Sequence, residues 1–390
     1  MEGSKRRSYD VVVVGAGVIG LACAWRAAER GMSVLVIDRE GIGAGASGVA
    51  AGMLAPVTEA EFEEQELLRL NLESRSLWAE FAAELAKAAG AEIGHEESGA
   101  AVVAADRDDA EELRRLHRFQ RSLGLQAEWL SPRECRRLEP GLSPRIAGGI
   151  LAPQDGYVDP TAVVAALASA LERAGGELAL GVEVDSLEGG GGRVTGVRTR
   201  TGVVGASSVV IAAGCWSSQL RGPVGQALPV RPVKGQILAL RARPGAARPA
   251  ERLVRTPRCY VVSRPDGRVV VGATVEDRGF DAAVTADGVF RLLEAAWEVL
   301  PDIGELELVA ARAGLRPGTP DNAPVVGPGA AGGLVWATGH YRNGVLLAPV
   351  TALAVAELLT EGELPDSMTP FSPRRFQPSA PERQRVAEGV

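Results

Sequence analysis

The sequence has little of what builds disulfide frameworks and metal centres. Its 390 residues include four cysteines and three histidines. Cys23, Cys135, Cys215 and Cys259 are scattered, with no C-x-x-C and no Cys/His cluster, which argues against a zinc site. Cys23 falls inside an Ala-rich segment and reads as a small buried apolar residue. Without a disulfide framework, a reducing, cytoplasmic setting is the default expectation. Long apolar runs are missing too. No stretch reaches the ~18 residues of a membrane span, and Pro349 and Glu357 interrupt the most apolar segment, Val345 to Leu359. The net charge is −7, so nothing suggests a nucleic-acid partner, and pairs such as Arg114-Arg115 and Arg136-Arg137 read as solvated faces. The basic start, Met1 to Ser8, superficially imitates a secretory signal, but the apolar run after it is short and broken by glycines.

What the chain does have is an ordinary globular balance, 46% hydrophobic and 23% charged, with enough length for two domains. It also has 48 glycines, and several are placed with evident purpose. Four valines, Val11 to Val14, read as a strand buried on both faces. Gly15, Gly17 and Gly20 follow with G-x-G-x-x-G spacing. The first permits a tight turn, the second lets backbone approach a pyrophosphate, and the third lets the next helix lie close to the strand. Val18 to Arg30 is that helix, and its N-terminal N–H groups and dipole favour phosphate. Val34 to Ile37 is a second strand. Asp38 ends it, near the ~20-residue offset at which an acid meets the adenosine ribose. A carboxylate there argues against a 2′-phosphate, hence against NADP. The motif alone leaves FAD and NAD open.

A second small-residue stretch, Gly41 to Pro56, lacks both helical and strand periodicity. Its glycines and alanines allow backbone to approach something flat and large. Farther on, Glu59 to Ala88 and Asp108 to Leu123 have helical periodicity, and Ser131-Pro132-Arg133-Glu134 looks like a capped helix start. Asp159 and Pro160 read as N-cap and first residue of a helix over Thr161 to Ala174. Strands are expected over 178–184, 194–199, 203–207 and 208–214, and mostly β structure from Leu228 to Thr274. Pro265-Asp266-Gly267 marks a hairpin there. A helix over 289–300, a strand over 306–313, a proline-rich loop over 314–324, a strand over 334–338, a turn over 339–344 and a last helix over 345–359 complete the reading. The tail after Pro365 is expected to fray.

Seven segments taken together resemble the D-amino acid oxidase-like family of FAD-dependent oxidoreductases over nearly the whole chain. They are Val-Val-Val-Val-Gly-Ala-Gly-Val-Ile-Gly (11–20), Ala-Ala-Gly-Met-Leu-Ala-Pro (50–56), Pro-Val-Lys-Gly-Gln (232–236), Cys-Tyr-Val-Val (259–262), Arg-Val-Val-Val-Gly-Ala-Thr (268–274), Gly-Leu-Arg-Pro-Gly-Thr-Pro-Asp (314–321) and Gly-His-Tyr-Arg-Asn-Gly-Val-Leu-Leu-Ala-Pro (339–349). The last two, as a pair, favour FAD over NAD.

The resemblance implies an α/β fold of two discontinuous parts. A Rossmann-like FAD-binding domain would take 9–89, 146–226 and 314–365. An antiparallel-sheet (α+β) substrate domain would take 90–145 and 227–313, leaving 366–390 as a tail. Non-covalent FAD is implied, because no cysteine follows Cys259 to serve as a C-terminal attachment site. Besides Gly15, Gly17 and Gly20, the implied FAD contacts are Val18, Ile19, Asp38 and Arg39 at the adenosine and pyrophosphate. Ala46, Ser47, Ala51, Gly52 and Met53 would lie near the flavin, with Val184 at the adenine. His340, Tyr341, Arg342, Asn343, Gly344, Val345 and Leu346 would line the isoalloxazine. Where the family often has Glu, this chain has Asp38.

The resemblance matches Arg316 to a carboxylate-binding arginine, Arg342 to a second arginine near substrate and flavin, and Tyr260 to a hydroxyl donor. Physical chemistry supports the type: a planar guanidinium holds a carboxylate by two parallel hydrogen bonds and so fixes Cα against the cofactor. The implied reaction is hydride transfer from glycine, sarcosine or a small D-amino acid to flavin N5. O2 as acceptor would give H2O2, and the imine from glycine would hydrolyse to glyoxylate and ammonia or feed thiazole synthesis in thiamine biosynthesis. His340 is not expected to act as a base. A homo-tetramer is implied by resemblance alone. Two alternatives stay open: a dehydrogenase using a non-O2 acceptor, and a non-catalytic FAD-binding subunit.

Overall fold

The computed structural model describes residues 8–220, 222 and 228–376. The expected boundary at 226/227, the basic start 1–7 and the tail beyond 376 lie outside the described residues. Two eight-stranded sheets dominate. The first runs in the order Val325–Pro328, Leu334–Thr338, Gly202–Ile211, Ser8–Val14, Val34–Asp38, Glu177–Leu180, with the hairpin Val184–Gly190/Arg193–Thr199 attached to the start of Gly202–Ile211. Its central pairings are parallel. The four valines show why. Val11 and Val13 join a core beneath the helices Val18–Glu29, Gln65–Ala89, Pro160–Arg173 and Ala348–Glu361, while Val12 and Val14 join a second core on the opposite face. With both faces covered, none of these four positions is polar.

The second sheet runs Glu307–Gly318, Arg231–Arg241, Arg268–Gly272, Tyr260–Ser263, Leu253–Arg255, Ala100–Ala104, Gly148–Ala152, Glu128–Leu130. It is antiparallel except where Leu253–Arg255 runs parallel to Ala100–Ala104. The helix Ala286–Val299 packs on its back and closes a separate core. By sheet membership, Gly148–Ala152 and all of Glu307–Gly318 belong to this layer.

Several local expectations are met for the expected reason. Asp159 accepts from the N–H groups of Thr161 and Ala162, and Pro160 opens the helix. Ser131 and Glu134 form a reciprocal capping box. Others are corrected. The helix expected from Glu59 begins at Gln65, and residues 57–64 are turns and irregular backbone. Tertiary partners hold that segment out of the helix. Asp155 accepts from Val57 N and Thr58 N, Glu59 pairs with Arg255, and Glu64 with Arg342. The last helix starts at Ala348, after a turn that holds Gly344 to Leu347. Residues 314–318 are strand, not loop, so Arg316 sits on a strand. Pro317 is tolerated there because its strand forms the edge of the sheet and its missing N–H breaks no ladder. Residues 366–376 do not fray. They form two short 3-10 turns that bury Met368 and Phe371, and Arg375 grips Asp321 with two nitrogens at 2.8 and 3.2 Å.

Candidate active site

A cavity of about 760 Å³ opens between the carboxyl ends of the parallel strands and the inner face of the second sheet. On the first side its wall is Val14 and Gly15, Ile37 and Asp38, Ala212 to Gly214, and Ala337 and Thr338, the ends of four strands. This is where open α/β sheets bind ligands. Gly15 has φ of +113°, and a β-carbon on it would overlap the Ala212 carbonyl. At Gly17 a β-carbon would press on Ser47 Oγ, at 3.3 Å, inside the cradle. Ser47 Oγ accepts from Val18 N at the start of the first helix (3.0 Å). Asp38 accepts from the N–H groups of Ala16, Glu40 and Gly41 at 2.8, 2.8 and 3.0 Å, which fixes its carboxylate at the cavity rim. Arg39 lies over the Trp216 ring, 4.2 Å from its centroid. Cavity size, glycine turn, helix N-terminus and acid fit a dinucleotide.

The opposite wall carries Arg316, Tyr260, Gly235, Ile237, Ala273 and Val275. The Arg316 guanidinium lies across Gly235, where a β-carbon would overlap both terminal nitrogens. Its Nη1 donates to the carbonyls of Thr274 (3.1 Å) and Lys234 (3.4 Å). The Tyr260 ring lies across Gly272 in the same way. Burial pushes the Tyr260 hydroxyl pKa up, and the Arg316 charge opposes that. Two glycines thus make room for the two side chains.

Most of the expected residues come together in this one cavity: Gly15, Gly17, Val18, Ile19, Asp38, Arg39, Ala46, Ser47, Ala51, Gly52, Met53, Val184, Tyr260, Arg316, His340, Tyr341, Arg342, Gly344 and Val345. Gly20, Asn343 and Leu346 do not reach its wall. Gly20 is pressed against the Gly15 carbonyl, where it lets helix and strand approach. Asn343 and Leu346 are buried in the turn, and the Leu346 carbonyl accepts from Ser74 Oγ and Trp78 Nε1. Arg342 lines the cavity, yet its Nη2 donates to Glu64 Oε2 at 2.9 Å, and Glu61 lies 3.7 Å from its Nη1. Burial pushes the Glu61 carboxyl up while Arg342 pulls it down. Sequence reading missed this acidic segment because its glutamates read as the polar face of a helix expected from Glu59. Cys259 is the one cysteine in the wall, and burial pushes its thiol up, so it is a poor nucleophile.

His340 is fully buried, with Nε2 3.0 Å from Thr351 Oγ1, and burial pushes its pKa down to about 3. The ring is neutral at pH 7. A depressed folded pKa supports stability above the unfolded value of ~6.5 and loses it as pH falls toward the folded value. The native chain is therefore expected to lose more melting temperature than His340→Gln between roughly pH 6.5 and pH 4.5. Each pH unit is worth up to about 1.4 kcal/mol. Parallel melts across that range check it.

Arg264 ties the two layers together. It comes from the Tyr260–Ser263/Arg268–Gly272 hairpin and donates to Val158 O (3.1 Å) and Ala51 O (2.9 Å). It is 5% exposed. Burial pulls its pKa down, and Asp159 opposes that. Its second contact holds the Ala51–Met53 segment against the cavity. Arg264→Met strands two buried carbonyls and is expected to cost about 3 kcal/mol of stability, read from denaturant melts.

Fold and site together define a dinucleotide-dependent oxidoreductase. The profile of the FAD dependent oxidoreductase family, DAO, matches residues 10–358, and the chain belongs to that family. It is 38% identical over 372 residues to the glycine oxidase of Geobacillus kaustophilus, covering 93% of this chain and 96% of that protein. The crystal structure of a glycine oxidase from Geobacillus kaustophilus superposes with a TM-score of 0.89 at 37% identity, over 95% of this chain and all of that one. The bifunctional protein ThiO/ThiG of Trichormus variabilis is 35% identical over 95% of this chain, which spans 56% of that longer protein. No described helix is long and apolar enough to cross a membrane, and no described group of His, Cys, Asp and Glu could hold a metal ion.

Proposed function

We propose that this chain oxidises glycine and other small amines, including sarcosine and small D-amino acids, with FAD held non-covalently in the cavity. One observation carries the reading. Arg316 and Tyr260 are laid side by side on a floor of glycines, facing the dinucleotide cradle across the cavity. Full-length similarity to glycine oxidases supports it. Gly15, Gly17, Val18, Ile19 and the Asp38 carboxylate would hold the adenosine and pyrophosphate, with Arg39 and Val184 beside them. Ala51, Gly52, Met53, His340, Tyr341, Arg342, Gly344 and Val345 would border the flavin. The first sheet would form the cofactor-binding part and the second the substrate-binding part.

FAD supplies a two-electron acceptor for the amine Cα–H, with O2 as final oxidant giving H2O2. The protein's task is alignment. Arg316 takes the substrate carboxylate through two parallel hydrogen bonds, and Tyr260 donates a third from its neutral phenol. The amine loses its Cα–H from the neutral form, and no side-chain base is needed. His340, with its depressed pKa, shapes the wall as a neutral ring. The imine leaves to give glyoxylate and ammonia in water, or serves thiazole formation in thiamine biosynthesis. A cytoplasmic homo-oligomer, a tetramer by resemblance, completes the proposal.

The test is H2O2 release by the yellow protein in air with glycine, sarcosine, D-alanine, D-proline and L-alanine in parallel. Peroxide with glycine and sarcosine and none with L-alanine supports the reading. Anaerobic bleaching without peroxide would replace the oxidase by a dehydrogenase. Absence of bleaching with every amine would overturn substrate oxidation altogether.

A further inference from the structure

The strand Arg231–Arg241 has a functional face and a hidden one. Gly235 and Ile237 line the cavity. Lys234 and Gln236 alternate with them and point to the back of the sheet, where they are 0% and 1% exposed. An enclosed lysine is costly unless it is paired. Among the described residues the one ion-pair partner of Lys234 Nζ is Glu276 Oε2, at 3.4 Å. Nothing in the dinucleotide cradle or the cavity wall uses this amine.

The pair is wired to the cavity. Glu276 Oε1 accepts from Thr274 Oγ1 (2.6 Å) and Gln236 Nε2 (2.7 Å). Thr274 Oγ1 in turn accepts from Gln236 N (2.8 Å). The main chains of Lys234 and Glu276 exchange two hydrogen bonds, at 2.9 and 3.0 Å. Two carbonyls steer Arg316 Nη1, and they are those of Lys234 and Thr274. Both residues that aim the guanidinium are therefore fixed by the buried amine and the partly exposed carboxylate behind them.

We infer that Lys234 and Glu276 are positioning residues: their ion pair, behind the substrate wall, fixes the Lys234 and Thr274 carbonyls and so sets the Arg316 guanidinium for a substrate carboxylate. The inference rests on the reading of Arg316 as the carboxylate holder. Removing the amine leaves Glu276, which is partly exposed, free to turn toward water. Thr274 then loses its anchor, and Arg316 loses one of the two carbonyls that direct it. The chemistry at Cα is untouched, so the defect belongs in binding.

The experiment uses holoenzyme and two readouts, steady-state kinetics with glycine and the Kd of acetate, a carboxylate without an amine, from perturbation of the flavin spectrum. Lys234→Met is expected to raise KM for glycine and Kd for acetate together by about tenfold, the worth of one misaligned charge-assisted hydrogen bond. kcat should stay within about twofold and FAD content at parent level. Glu276→Gln keeps shape and removes charge, and it should shift both constants the same way, which keeps the test open if Lys234→Met does not fold. The double variant should be no worse than Lys234→Met alone, because the two act as one unit. Unchanged acetate Kd in both folded single variants overturns the inference while leaving Arg316 in place. Unchanged acetate Kd in Arg316→Ala overturns the reading of Arg316 itself, and the inference with it.

Discussion

Arg316→Ala is expected to lower kcat/KM for glycine by roughly 10²–10³-fold, mostly through KM. Two parallel hydrogen bonds between charged groups in a partly enclosed cavity are worth about 3–4 kcal/mol, and each 1.4 kcal/mol is a factor of ten. Arg316→Lys should recover little of this, because an ammonium cannot present the planar fork. The companion variant is Gly235→Ala, which leaves every charge in place. Its new methyl would occupy the space of the Arg316 terminal nitrogens, so the guanidinium must move off its two carbonyls. The defect should resemble that of Arg316→Ala in direction, with FAD content and melting temperature near the parent's. Gly272→Ala should do the same to Tyr260. Steady-state kinetics on the four variants, with FAD stoichiometry as control, checks the set. A Gly235→Ala enzyme with parent KM would mean that the guanidinium does not hold the carboxylate from where it lies.

Gly235 and Gly272 also show where sequence reading stops. Both fall inside segments that mark the family, so their neighbourhood was legible. Their reason was not, because it lies in side chains brought over them from other strands, Arg316 and Tyr260. The dinucleotide cradle was legible almost residue by residue, since strand, glycine turn, helix and acid are contiguous. Its signal is local steric need, as the +113° φ of Gly15 shows. Arg316 was found as a residue but placed in a loop. The prolines around it suggested irregular backbone, and only an edge position in the sheet lets Pro317 sit in a strand. Residues 59–64 read as the start of the helix because the apolar period from Leu67 onward is extended back over acids, yet Arg255 and Arg342 draw two of those acids into tertiary pairs. Arg264 carried no sequence signal at all. Its partners are two carbonyls, and a carbonyl is present in every residue.

Asp38→Ala should have the second large effect, on cofactor retention. The carboxylate does two jobs at once. It satisfies three backbone N–H groups, those of Ala16, Glu40 and Gly41, and in doing so it locks the glycine turn to the end of the second strand. Oδ1 already accepts two of these bonds and Oδ2 one, so Oδ2 keeps acceptor capacity toward the cavity, where the ribose of FAD would lie. Truncation would remove the proposed partner of the cofactor and loosen the turn proposed to carry its pyrophosphate. The two losses act on the same equilibrium, so FAD affinity should fall by about 10³-fold, near 4 kcal/mol. Asp38→Asn keeps one acceptor oxygen and the side-chain shape, and it should fall only about tenfold. Asp38→Glu, the residue the family often carries, should bind FAD nearly as the parent does if the longer side chain can still reach Ala16 N. The measurement is fluorescence titration of deflavinated protein with FAD, alongside a melt of each apoprotein. Equal apoprotein melts with unequal FAD affinities would assign the effect to the cofactor contact. A matching drop in apoprotein stability would assign it to the turn. An Asp38→Ala protein that purifies yellow with the parent's affinity would remove the carboxylate from the cofactor site.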